Sequence, residues 1–148
     1  MATDQMSASE PLLKYAELLL RKGMREEAAA QLQELLRRDP GCARAHYTLA
    51  VARMAEGCPE QAADHFRSAL ELNPGEIKSL NGLGVALEQL GRIEEAALCY
   101  RAAVRGEPCY QDAQINLALL LKNHGCLCDA ERQLERFMRE VVPAVGPS

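Results

Sequence analysis

Between Ile77 and Pro108, apolar residues recur at intervals of three and four. Leu80, Leu83, Gly84 and Leu87 fall on one helical face, and Ile93, Ala96, Ala97, Tyr100, Ala103 and Val104 on another. Gly91 separates the two runs, where glycine closes a helix cheaply, and Pro108 stops the second. The stretch predicts a short helix, a tight turn and an antiparallel helix.

The unit recurs along the chain. Pro40, Pro74 and Pro108 lie 34 residues apart, and Val142, beside Pro143, falls at the next interval. Gly23, Gly57, Gly91 and Gly125 keep the same step, as do Ala28, Ala62, Ala96 and Ala130. A small residue sits midway along each first helix, at Ala16, Ala50, Gly84 and Ala118. A fixed period of this size implies stacked helical repeats, none of which buries its apolar face alone.

This pattern resembles the tetratricopeptide repeat family, whose unit is a helix-turn-helix of the same length. The family's large residue near the start of the first helix is matched by Leu12, His46, Leu80 and Gln114. Its leucine three places on is matched by Tyr15, Leu49, Leu83 and Leu117, and its bulky place in the second helix by Leu32, Phe66, Tyr100 and Leu134. The resemblance implies an all-α, right-handed superhelical solenoid of four units with about eight helices. The repeats run over 9–42, 43–76, 77–110 and 111–142, forming a single domain between mobile tails at 1–8 and 143–148. Ser9 is placed to cap the first helix, with Glu10 and Pro11 in its opening turn.

Composition narrows the function classes. The 148 residues suffice for one well-filled domain, with no room for a separate enzyme domain. Aromatic residues make up 4% and tryptophan is absent, which suits close helix packing better than an aromatic-lined catalytic cavity. A net charge of −4 argues against a nucleic-acid partner, which calls for a basic excess. No apolar run is long enough to span a membrane, and the N-terminus lacks the basic start and apolar core of a secretory signal. A cytoplasmic location is expected, with the six cysteines as reduced thiols.

Candidate chemistry is sparse. His46 occupies the family's bulky packing place, His65 lies beside Phe66, and His124 precedes a turn glycine. None has a serine or cysteine partner at a catalytic spacing, so no enzyme and no cofactor are expected. His124, Cys126 and Cys128, in HGCLC, are zinc-type ligands. Structural zinc sites, however, usually space their cysteines by two residues and add a second pair. Cys58 holds the place of Cys126 without a partner, which favours small turn residues over a metal site.

The surface carries the functional expectation. The family's groove-facing places fall on Leu13 and Glu17, then on Arg44, Tyr47, Thr48 and Val51. They continue through Lys78, Asn81 and Val85 to Asp112, Ile115, Asn116, Leu119 and Lys122. Val51, Val85 and Leu119 recur at one place as an apolar strip, and Arg44, Lys78 and Lys122 form a thinner basic row. The resemblance thus implies a non-catalytic adaptor or scaffold that holds a peptide or helix of a partner protein in the concave groove. The family's carboxylate clamp for heat-shock chaperone tails is matched only at Lys78, so such a tail is not the expected ligand. The competing expectation is a structural assembly unit, self-associating through Leu134, Phe137, Met138 and Val141 at the uncapped last repeat.

Overall fold

Each helix pair owes its shape to the glycine between its members. Gly23, Gly57 and Gly91 have φ of 80°, 77° and 78°, a left-handed conformation that a side chain disfavours. Around each, two backbone bonds close the helix. Gly23 N–H donates to Leu20 O and Met24 N–H to Leu19 O, with the same pairs at Gly57–Met54 and Cys58–Arg53, and at Gly91–Glu88 and Arg92–Leu87. This is the Schellman arrangement. Between pairs, Cys42 N–H donates to Asp39 O, Glu76 to Asn73 and Tyr110 to Glu107, each bond closing a turn around Pro40, Pro74 or Pro108.

The computed structural model describes residues 2–124, Arg136 and Arg139, with side chains from Ser9 onward. Among these residues the helices are α1 (Ala2–Arg21), α2 (Arg25–Arg38), α3 (Ala43–Ala55), α4 (Pro59–Leu72), α5 (Ile77–Gln89), α6 (Ile93–Gly106) and α7 (Gln111–Asn123). The fold is all-α, built of repeating helix-turn-helix units. The second helix expected in the fourth repeat, the HGCLC cysteines, the tail at 143–148 and the self-association residues Leu134, Phe137, Met138 and Val141 lie outside the described residues.

Helix α1 corrects the expected tail. It starts at Ala2, so the helix covers all but the first of residues 1–8, and Ser9 lies inside it. No glycine or proline precedes Pro11 to break the helix, and Pro11 itself is accommodated within it. Ser9 does not cap. It is buried, and its hydroxyl donates to the Asp39 carboxylate at 3.3 Å, tying α1 to the end of α2.

The chain divides into two compact units, Met1–Ser79 and Leu80–Ser148. In the first, Leu13, Ala16, Ala29, Leu32, Leu35, Ala45 and Leu49 form one buried cluster, with Leu12, Leu36 and Cys42 packed against it. Burying a leucine of this kind is worth about 1.5–3 kcal/mol. Phe66, 2% exposed, extends the interior between α3 and α4 and meets the Tyr47 ring at a centroid distance of 5.9 Å.

In the second unit the centre is Tyr100, which is fully buried. Its ring lies over Gly84 so closely that a Cβ there would stand 2.5 Å from the ring edge. Its hydroxyl donates to the Glu88 carboxylate at 2.8 Å. Burial, and then the bond to Glu88, push the Tyr100 hydroxyl well above the usual tyrosine range.

Candidate functional site

In the first unit the exposed side of α3 looks onto a cleft of about 500 Å³. Glu17, Arg44, Tyr47, Thr48, Asn73, Glu76, Lys78 and Ser79 line it. Helical spacing brings Arg44, Tyr47, Thr48 and Val51 to one side of α3. Val51 is 41% exposed, while Tyr47 is half-buried because its ring leans on Phe66. Burial raises the Tyr47 hydroxyl pKa, and the nearby Glu76 carboxylate adds to the shift. Tyr47 therefore offers a neutral ring edge and a hydroxyl, not a phenolate.

Arg44 is already engaged. Its guanidinium bridges Glu10 at 3.2 Å and Glu17 at 2.9 Å, both on α1. The expected basic row therefore loses its first member to internal pairing. Thr48 is likewise turned inward: it is buried, and its hydroxyl donates to the Arg44 carbonyl at 2.8 Å. Leu13 is a plain correction. It is 3% exposed and offers no surface to a partner, because it belongs to the buried cluster that Leu32, Ala45 and Leu49 of α2 and α3 build with it.

Tyr15, at a leucine place of the family, is exposed. The places held by Ala45, Leu49 and Ala52 in α3, all buried, are held in α1 by Pro11, Tyr15 and Leu18, all exposed. Leu49 is buried because α2 supplies Leu32 and Leu35 against it. Among the described residues no helix does the same for α1.

In the second unit, Asn116 Nδ2 donates to Asn81 Oδ1 at 3.0 Å, linking α7 to α5. Val85 is half-buried, while Ile115 and Leu119 are 54% and 48% exposed, one turn apart on α7. Asp112 and Lys122 are exposed on the same helix. Sequence reasoning missed the Asn81–Asn116 pair as a contact, and Glu10 as a partner for Arg44. The available signal was spacing: Glu10 and Arg44 are 34 residues apart, and so hold the same place in successive repeats with opposite charge.

His46 and His65 come within 6.0 Å, ring to ring, and His46 Nε2 donates to the Pro40 carbonyl at 3.3 Å. Among the described residues, no three His, Cys, Asp or Glu side chains converge as a metal site. Among the described residues, Cys42, Cys58 and Cys109 are free thiols. No described helix is long and apolar enough to cross a membrane.

The tetratricopeptide repeat family profile matches residues 13–77, 57–113 and 81–136, which together span most of the chain. The chain belongs to the tetratricopeptide repeat family. Solved structures carry the same fold. MamA superposes with a TM-score of 0.84 at 20% identity, over 94% of this chain and 81% of MamA. PilF of Pseudomonas aeruginosa gives 0.80 at 27% identity, over 92% of this chain and 62% of that one. The first tetratricopeptide domain of Spaghetti (RPAP3), bound to the HSP90 peptide SRMEEVD, gives 0.76 at 20% identity, over 79% and 93%. No curated protein matches the sequence. As a tetratricopeptide repeat protein, the chain has the fold of a protein–protein interaction scaffold.

Proposed function

We propose that this tetratricopeptide protein is a non-catalytic adaptor that takes a peptide or helix of a partner on the exposed side of its first helices. Half-exposed aliphatic residues on that side carry the reading. Val51 on α3 and Leu119 on α7 hold the same place in their repeats, and both lie open where a core residue would be closed. In the first unit the anchors are Tyr47 and Val51, with Glu17, Lys78 and the cleft beside them. In the second they are Ile115 and Leu119, with Val85, Asp112 and Lys122 alongside and the Asn81–Asn116 amides as hydrogen-bonding groups. Aromatic and aliphatic anchors of this kind supply most of the energy of peptide recognition.

The proposed ligand is not a strongly acidic tail. Arg44 is held by two carboxylates, and a partner acid has to compete with both. The likeness to a chaperone-bound domain is one of fold.

Affinity capture with the wild type, Val51→Asp and Leu119→Asp tests the proposal, once circular dichroism shows all three equally helical. The expected result is a shared set of partners retained by the wild type and lost by at least one variant. Identical partner sets for all three would remove this side of the first helices from consideration.

A further inference from the structure

Two ring pairs join α3 to α4 side by side, and their chemistry differs. Tyr47 meets Phe66 at a centroid distance of 5.9 Å, an ordinary aromatic contact. One residue earlier on each helix, His46 meets His65 at 6.0 Å. The other repeats hold Leu12, Leu80 and Gln114 at the place of His46, and Gln31 and Cys99 at that of His65. Two turns along α3, Arg53 stands where Leu19, Leu87 and Leu121 are buried in the other repeats. The second repeat thus sets groups that carry or acquire positive charge where its neighbours set apolar or neutral ones. We propose that this contact is an acid-sensitive joint: protonation of His46 and His65 loosens α3 and α4 ahead of α6 and α7 and unseats Tyr47. The loosening stands on the contact alone, while its reading as the loss of a binding anchor rests on the adaptor function.

The local geometry makes the protonated pair costly. With Nε2 bonded to the Pro40 carbonyl, the next proton on His46 goes to Nδ1, which is buried and has no hydrogen-bond partner. It becomes a buried donor without an acceptor, on a cation that faces a second imidazole. Arg53 adds a fixed positive charge. Its Nη1 is paired with Glu56 at 2.7 Å, but its Nε, also buried, has no partner.

The surrounding acids do not relieve the pair, since among the described residues no carboxylate bonds either ring. Asp64 on α4 opposes the effect, yet it is shared with Arg67 at 3.4 Å. On α2, Glu34 is held by Arg37 and Arg38, and Glu26 and Glu27 border a crevice with Glu56. Asp39, after α2, accepts from Ser9, and on α1 Glu10 and Glu17 are held by Arg44. Cys42, one turn before His46, packs against the core cluster. The balance shows at His65, whose pKa is lowered by burial first, then by His46 and Arg53. Such a histidine takes its proton more readily once the contact opens, so acid below about pH 6.5 favours opening.

Hydrogen exchange of the full-length protein, read by mass spectrometry and corrected for the intrinsic effect of pH, tests the joint. Between about pH 7.5 and about pH 5, exchange in α3 and α4 should rise at least about fivefold, against less than about twofold in α6 and α7. His46→Gln/His65→Gln installs the residues found at these places in the fourth and first repeats, and should bring α3 and α4 to the level of α6 and α7. His46→Leu alone, with the leucine of the first and third repeats, should also reduce the rise, so the test does not hang on one variant. A rise shared equally by all helices overturns the proposal, as does one that survives both variants, or no rise at all. Exchange is measured without a partner, so a failed capture at the first helices would remove the adaptor function and leave these outcomes untouched.

Discussion

The second and third repeats hold the same helix pair with different chemistry at its centre. In the second, Ala50, Met54 and Phe66 occupy three places; in the third, 34 residues on, Gly84, Glu88 and Tyr100 occupy them. The third repeat has gained a buried hydroxyl, a carboxylate to accept its hydrogen bond at 2.8 Å, and a glycine that lets the ring come close. The second has none of these, and its Phe66 packs instead against the Tyr47 ring. Where Tyr47 stands in the second repeat, Asn81 stands in the third, and it pairs with Asn116 rather than with the buried aromatic. The lesson is one of linkage. The Tyr100 hydroxyl enters the centre of its pair together with Glu88 and Gly84, and its bond to Glu88 avoids the cost of about 1–3 kcal/mol for a buried hydroxyl without a partner.

The largest effect expected from breaking this arrangement is at Gly84. Gly84→Ala sets a methyl against a fully buried ring, with contacts of 2.5 and 2.7 Å that demand movement. A loss of about 1–3 kcal/mol follows, in line with overpacking elsewhere. The mirror change, Ala50→Gly, creates no clash and loses only about 0.5–1 kcal/mol through the helix propensity of glycine. Urea unfolding of both variants checks the pair. Equal losses would mean that the close approach of Tyr100 to α5 has no energetic consequence.

Transplanting the chemistry sharpens the comparison at somewhat lower cost. Phe66→Tyr places a hydroxyl where Phe66 is 2% exposed, and it should destabilise the protein by about 1–2 kcal/mol. Adding Met54→Glu recreates the carboxylate found at Glu88, and the double variant should recover at least about 0.5 kcal/mol of that loss. A double-mutant cycle gives the coupling directly. Simple additivity would show that the third-repeat pair depends on Gly84 as well.

Much of this was legible in the sequence because it is written in periodicity. Gly23, Gly57 and Gly91 mark the turns, Pro40, Pro74 and Pro108 mark the boundaries, and the helices fall between them. The outer surfaces were less legible, since a repeat pattern describes an average unit. At α1 the average fails: Tyr15 sits at a leucine place yet is exposed, and Leu13 sits at a surface place yet is core. Leu13 is core because Ala45 and Leu49 of α3 join its cluster, a contact that no residue within α1 encodes. Arg44 was legible as a cation but not as a spent one, because its carboxylates come from the preceding repeat. The exposure of Val51, Ile115 and Leu119 was legible because their surface places recur from repeat to repeat.

The smallest effect distinguishes the two units by pH. Burial lowers the His65 pKa below its usual 6.5, the positive charges of His46 and Arg53 add to this, and Asp64 opposes it. A depressed histidine takes up its proton more readily in the unfolded chain, so stability falls as the pH drops below about 6.5. Tyr100 behaves in the opposite sense. Its raised pKa means that the unfolded chain ionises first, so stability falls as the pH climbs above about 10. Melting followed by circular dichroism should therefore show a modest acid loss that His65→Gln removes, and an alkaline loss that Tyr100→Phe reduces, the remainder belonging to Tyr47, whose pKa is also raised. If His65→Gln left the acid limb unchanged, the sensitivity would belong to other groups. If Tyr100→Phe left the alkaline limb unchanged, the Tyr100 hydroxyl would be titrating freely, and the bond to Glu88 would not hold its proton in the folded state.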